Sequence, residues 1–438
     1  MSLAREIGLW GATFLVIGNI IGAGIFTVSG PLAESLGRTP WLIGVWLVGG
    51  VLALLGAFCY SELAVRYPKA GGEYAFLRPT WGPLAAFLSG WASLFIGFTA
   101  PIAASALALA SYLRPYLPAE LGDGSGDRTV AVLTLLLVSF FLSLGLQAGT
   151  RTHGAITLLN FILIVLFAGL VLLRSAGRGH LTDSLLASPL TVDFADLGSA
   201  LVLVMFAYSG WNAAAYIAEE VRTPGRNIPR ALLLGTGSVI VVYLLINLAY
   251  FSAAPLESLQ GQIAIAHVTS VQVLGGFGQN LISLLIVVSV LSSLTAMSIA
   301  GPRVYFAMAR DRLFPDWLSK VHPTKKVPMG AIWFQTGVAI VFVMVGSFRE
   351  ILLFSGFILI LFSTLTVSVL IRGGRHRWMA IVFVGANVLI MANVAWPEVA
   401  GLTFGPTMAG LGIVAAGLPV YYLYQRRAVA AGGGPGEG

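Results

Sequence analysis

Apolar positions in this chain come in long continuous runs, with polar residues gathered into the short stretches between them. Each run is long enough to cross a hydrocarbon core of about 30 Å as a helix, whereas a membrane β-barrel would show strict alternation over about ten residues. The runs predict twelve spans, at 8–34, 40–66, 81–113, 129–147, 153–175, 195–219, 229–252, 277–310, 328–346, 349–372, 376–396 and 404–426. The expected fold class is an all-α integral membrane protein with twelve transmembrane helices.

Composition strengthens that reading. Of 438 residues, 57% are hydrophobic and 10% charged, where a soluble domain carries roughly 25% charged residues. Lysine and arginine mark cytoplasmic loops. With the N-terminus inside, 19 of the 25 basic residues fall on the cytoplasmic side and 6 outside, which favours an even number of spans in a cell membrane with both termini cytoplasmic. This topology accounts for the net charge of +7, so no nucleic-acid partner is implied. The first run is too long for a cleavable signal and lacks a small-residue cleavage site, so it is expected to be retained. Cys59 is the one cysteine and falls in the second span, which leaves no internal disulfide and no thiolate metal cluster. The histidines, at 153, 180, 267, 322 and 376, fall in loops or at span ends; no metal and no cofactor is expected.

Charged side chains keep to the span ends, Glu62, Glu219, Glu220, Arg303 and Arg310 among them, because a charge in hydrocarbon is costly. A charged ligand group in mid-membrane would therefore have to be met by backbone. Two spans are suited to this. In the first, "GNIIGAGIF" (18–26) clusters Gly18, Gly22 and Gly24; in the sixth, "FAYSGWN" (206–212) sets Ser209 and Gly210 between aromatics. Gly18 and Gly22 also fit a small-residue packing face, but Gly22 and Gly24 lie on different helix faces, which suits a locally unwound segment.

These spans stand at corresponding positions of two candidate halves, 8–175 and 195–372. Glycine-interrupted helices so placed are the sequence sign of a midplane site in transporters built from inverted repeats. The expectation is a 5+5 inverted repeat with discontinuous helices one and six, in a single domain (1–428) that adds two helices at 376–426 and ends in a disordered tail, 429–438. Unwinding frees N–H groups for an anion and C=O groups for a cation, so a zwitterion is held without a charged side chain.

Four stretches go further: "IGNIIGAGIF" (17–26), "SELAVRYPKAGGEYAF" (61–76), "FAYSGWNAAAYIAEEVRTPGRNIPRAL" (206–232) and "RVYFAMARDRLFPDWLSKVHP" (303–323). In them the chain resembles the amino acid, polyamine and organocation transporters, and within these the L-amino acid transporter branch, which includes bacterial homologues and the light chains of heteromeric transporters. The resemblance implies a carboxylate cradle on the N–H groups around Gly22, Ala23, Gly24 and Ile25. It places amino-group acceptors at the carbonyls of Ile20, Ile21, Phe206 and Ala207, with Ser209 and Gly210 beside the substrate. Ala23 stands where relatives commonly have serine. Phe206 takes the place of an aromatic that closes over the substrate, unless it is an ordinary core aromatic.

Asn160 stands where many relatives carry a lysine, and the lysines of this chain, at 69, 320, 325 and 326, all fall in loops. A lysine-based proton step is therefore not expected. Ser292 and Ser293 would bring hydroxyls to the same place, either for a sodium ion or bonded to their own backbone. Glu219 and Glu220 read equally as a solvated rim and as partners for arginines when the inner mouth closes. "YPKAGGEYAF" (67–76) is expected to turn sharply at the inner face without touching substrate. Segment 313–322 has an alternation suited to the membrane surface. The loop at 114–128 holds no cysteine, so no disulfide-linked heavy subunit is expected.

The function expected is secondary transport of neutral L-amino acids by alternating access, through sodium-independent exchange or facilitated diffusion. No acidic or basic group is expected at the midplane to pair with a charged substrate side chain. Rival readings are a proton- or sodium-coupled symporter and a cationic amino acid or polyamine carrier of the same superfamily, the latter needing a midplane acid. A membrane enzyme would need clustered ligands or a nucleophile with its base, and neither is visible; a sensor without transport is the remaining alternative.

Overall fold

A computed structural model describes residues 3–114, 117–118, 124–178, 180–181, 194–262, 264–345, 348–401 and 405–430. Their regular elements are all helical, apart from one isolated parallel bridge between Ile7 and Val221.

The first expected span is not one helix. It is α1 (Leu9–Ile20), a non-helical gap, α2 (Gly24–Thr27) and α3 (Ser29–Leu36), the last closed by Gly37 in the left-handed region at φ +62. Next come α4 (Thr39–Arg66), with Pro40 in its first turn, and α5 (Glu73–Trp81), separated at Gly82 from α6 (Pro83–Ala92). A π-helical stretch, Ser93–Thr99, joins α6 to α7 (Ala100–Leu113). Then follow α8 (Gly124–Ser143) and α9 (Leu146–Ser175).

The sixth expected span is likewise divided, into α10 (Phe194–Ala207) and α11 (Ala213–Tyr216) with a turn between them. Beyond it lie α12 (Pro224–Ala253), α13 (Leu256–Leu259) and α14 (Ile265–Arg310). α14 begins well before the expected 277 and bends at Gly275, φ +61. The chain continues with α15 (Met329–Val345), α16 (Phe348–Ser368), α17 (Arg377–Ala400), α18 (Pro406–Ala415) and α19 (Gly417–Ala430). Residues 429 and 430 close α19, and the rest of the expected tail lies outside the described residues.

Among the described residues, 9 helical stretches are long and apolar enough to cross a membrane, and three shorter apolar helices fall on expected spans six, nine and ten. The exterior agrees: Val345, Leu173 and Trp396 leave 83%, 76% and 69% of their surface uncovered, an apolar display stable only against lipid. The chain is a multi-pass membrane protein.

α1 lies at the centre, packed on α9, α12 and α14, while α12 packs on α4. Leu3 packs with Ala70 and Phe306, and Tyr424 meets Phe314. The first described residues and the last helix therefore share one end of the bundle, which the expected topology places inside and which is called the inner end below.

Candidate functional site

The break after α1 starts at Ile21, whose ψ of 90 leaves the helical region. Gly22 N–H turns back to the Ile20 carbonyl at 2.9 Å, and Phe26 N–H reaches Ala23 O at 3.1 Å. The N–H groups of Ala23, Gly24 and Ile25 have no hydrogen-bond partner among the described residues. These are the orphan donors every helix start exposes, here at α2 in mid-span.

Glycine is required here by close approach. A Cβ on Gly22 would stand 2.9 Å from Ser293 Oγ, and one on Gly24 3.1 Å from Ala207 Cα. Gly18 serves packing instead, since its Cβ would strike His153 and Thr157 of α9 and Ser292 of α14.

The second break faces the first. Gly210 has φ +98, and a Cβ there would meet the Asn19 backbone at 2.9 Å. Ser209 N–H bonds Phe206 O at 2.9 Å and Ala213 N–H bonds Gly210 O at 3.0 Å, carrying the chain from α10 into α11.

One side chain ties the breaks together. The buried Tyr243 hydroxyl of α12 lies 2.8 Å from Ile20 O and 3.1 Å from Ala207 O. Two of the carbonyls expected to receive an amino group thus already have a protein partner, though each carbonyl retains a second lone pair. Nothing in the sequence around "VVYLLIN" distinguishes Tyr243 from any other tyrosine in an apolar run.

The breaks line a cavity of about 120 Å³. Ile20, Gly22, Ala23, Gly24, Phe206, Ala207, Ser209 and Gly210 border it, as does Ser293. Ile21 and Ile25 do not; their side chains are fully buried in the core. The π-helical stretch supplies Gly97 and Phe98, and α7 supplies Pro101, Ala104 and Ser105. A continuous apolar run gives no sign of this π turn, a distortion often found at functional sites. The 67–76 connector, expected to turn at the inner face without touching substrate, does reach the cavity: Glu73, at the start of α5, lines it. Folding of the Gly71–Gly72 turn under the bundle brings it there, Gly72 lying at φ +56 against the Tyr216 ring.

The coupling candidates separate. Asn160 is fully buried away from the cavity, its Oδ1 accepting from Ser289 at 2.5 Å. Ser292 pairs across helices with Thr157 at 2.8 Å. His153, expected at a span end, is buried instead: it is 1% exposed, with Nε2 3.2 Å from Phe14 O and 3.3 Å from Thr157 Oγ1. It starts an expected span, but α9 begins at Leu146, nearly two turns earlier, and carries it inside.

At the inner end, Glu220 and Arg303 form a buried two-pronged pair, at 2.7 and 3.0 Å, with Arg303 also donating to Ile299 O at 2.6 Å. Arg310 grips Glu219 at 2.8 and 3.0 Å. Gly71 N–H bonds Tyr216 O at 3.1 Å, and Tyr74 donates to Asp311 at 2.7 Å. The N-terminal segment completes the layer, with Ile7 N–H on Glu220 O at 2.9 Å and Arg222 N–H on Ile7 O at 2.8 Å. Arg66 stays with Glu62 on its own helix. Segment 313–322 contributes Trp317 and Phe314, both packed on Phe334.

Comparison with known proteins converges on one group. The chain is 28% identical over 439 residues to the Asc-type amino acid transporter 1 of Mus musculus, covering 97% of this chain and 82% of the relative. It is 28% identical over 433 residues to the large neutral amino acids transporter small subunit 2 of Homo sapiens, covering 97% and 81%. It is 30% identical over 441 residues to the serine/threonine exchanger SteT of Bacillus subtilis (strain 168), covering 97% and 98%. A family profile described as amino acid permease matches residues 7–418; the chain belongs to the amino acid permease family.

Proposed function

We propose that the protein is a secondary transporter of neutral L-amino acids, working by alternating access through sodium-independent exchange. The observation that carries this reading is the meeting of two mid-span helix breaks over one cavity, with the unpaired backbone N–H groups of Ala23 and Gly24 on its border and that of Ile25 next in the chain. They would receive the substrate carboxylate, while carbonyls of the two breaks, with Tyr243 holding Ile20 and Ala207 in place, would receive the ammonium group. In this reading Phe206 covers the substrate, and the layer of Glu219, Glu220, Arg303 and Arg310 closes the inner end.

The relatives, named as transporters of large neutral amino acids and exchangers of serine and threonine, support the substrate class and the exchange mode. The architecture belonging to this reading is twelve spans in two inverted halves, 8–175 and 195–372, with both termini cytoplasmic. Since Cys59 is the sole cysteine and is buried, a heavy subunit attached by a disulfide has no anchor. A counterflow panel of the proteinogenic amino acids in liposomes, without ion gradients, tests the proposal. Accumulation of neutral members alone is expected; uptake restricted to lysine, arginine or polyamines would refute it.

A further inference from the structure

Glu73 is the one acidic side chain bordering the cavity among the described residues. It is 5% exposed, in the connector between the second and third spans. Its Oε1 accepts from Tyr60 Oη at 2.8 Å and Asn212 Nδ2 at 2.6 Å, and Oε2 has no protein partner. Asn212 belongs to the turn between α10 and α11, so this carboxyl is tied directly to the second helix break.

No ion pair reaches Glu73 among the described residues; Lys69 of the same connector is exposed, and the other charges on the elements around it are engaged elsewhere. On α14, Arg303 holds Glu220 and Arg310 holds Glu219; on α5 itself, Arg78 pairs with Asp311, as does the Tyr74 hydroxyl. Arg372, beyond α16, lies over the Trp81 ring, and Glu62 of α4 pairs with Arg66. The groups that do face Glu73, Tyr60 and Asn212 with Tyr216 beside them, are neutral. A buried carboxylate without a cation neutralises rather than stay charged.

We propose that Glu73 is a proton-binding residue of the transport cycle, protonated while the inner end is sealed and ionised when that end opens to water. Resting on the transporter reading above, this also accounts for a cavity that takes neutral substrates although a carboxyl borders it. Burial pushes the Glu73 carboxyl up from the usual carboxylate range, with the nearby polar groups of Tyr216, Glu73's own backbone, Tyr60 and Asn212 opposing in part. Because the sealed state binds the proton more tightly than the open one, acid favours sealing and alkali favours inner opening. The window lies above the ordinary carboxylate range.

The test is carried out on the full chain in liposomes, with Cys59→Ala and a reporter thiol, Ser363→Cys, on the cavity border. A membrane-impermeant maleimide is applied from the inner face, and its rate is divided by that of the same protein carrying Glu73→Gln, which cancels the thiol's own ionisation. Between about pH 5.5 and 8.5 this ratio is expected to rise at least about fivefold. A ratio constant within about twofold overturns the proposal. If Glu73→Gln does not fold, Glu73→Met or normalisation to an exposed Lys320→Cys reporter serves instead. Inhibition of exchange by arginine at alkaline pH, lost in Glu73→Gln, would also overturn it, since the carboxylate would then be a cation subsite. Counterflow on the same liposomes separates the two readings: flux with a flat ratio sinks this one, and a rising ratio without flux sinks the substrate assignment.

Discussion

The Tyr243 hydroxyl touches both helix breaks, so its removal tests whether their relative position matters for binding. Tyr243→Phe keeps the ring, its edge contact with Trp46 and the core volume, and removes the single O–H donor shared between the Ile20 and Ala207 carbonyls, worth about 1 kcal/mol. Substrate affinity in exchange assays is expected to fall on the order of tenfold, with expression and melting little changed; unaltered affinity would show that the bridge does not shape the site. Gly24→Val is expected to abolish transport, because even its Cβ stands 3.1 Å from Ala207 Cα and its branches fill the gap between the breaks. Wild-type affinity in that variant would count against the backbone cradle. At this scale the glycines were legible because their spacing fits no single helix face. Tyr243 and Glu73 were not, because an isolated tyrosine in an apolar run and a glutamate in a polar connector look like many others. Only the fold brings them to positions 20, 207 and 212.

The interrupted helices depend on residues with unusual backbone. Gly210→Ala places a Cβ at φ +98 and 2.9 Å from Asn19, so a loss of about 1–3 kcal/mol is expected, read as a lowered melting temperature in detergent. The inner seal gives a second test. Arg303→Met leaves Glu220 buried without its partner, a change that costs about 3–5 kcal/mol. Thiol labelling from the inner face should rise, and adding Glu220→Gln should restore much of the protection; equal accessibility in wild type and Arg303→Met would remove this pair from the gate. Element positions were largely readable from run length. The division of the first and sixth spans was readable from their glycines rather than from run length, whereas the π stretch at Ser93–Thr99 and the early start of α14 were not, since an apolar run has the same composition whether its hydrogen bonds step by four or by five.

For the whole molecule, hydropathy carried the class of fold, because lipid forces every spanning backbone group into internal hydrogen bonds. The inner layer is less visible in that way. Glu219 and Glu220 are adjacent in sequence yet serve different arginines on α14, one pair partly exposed and one buried. The central claim is that two broken helices carry a neutral amino acid by exchange. Its most direct test is uptake of a labelled neutral amino acid into liposomes preloaded with the same unlabelled compound, sodium-free and at equal pH on both sides, for the wild type and Gly24→Val. The expected result is uptake that requires internal amino acid in the wild type and is absent in the variant. Uptake driven only by a sodium or proton gradient, indifferent to internal amino acid, or equal in the two proteins, would contradict it.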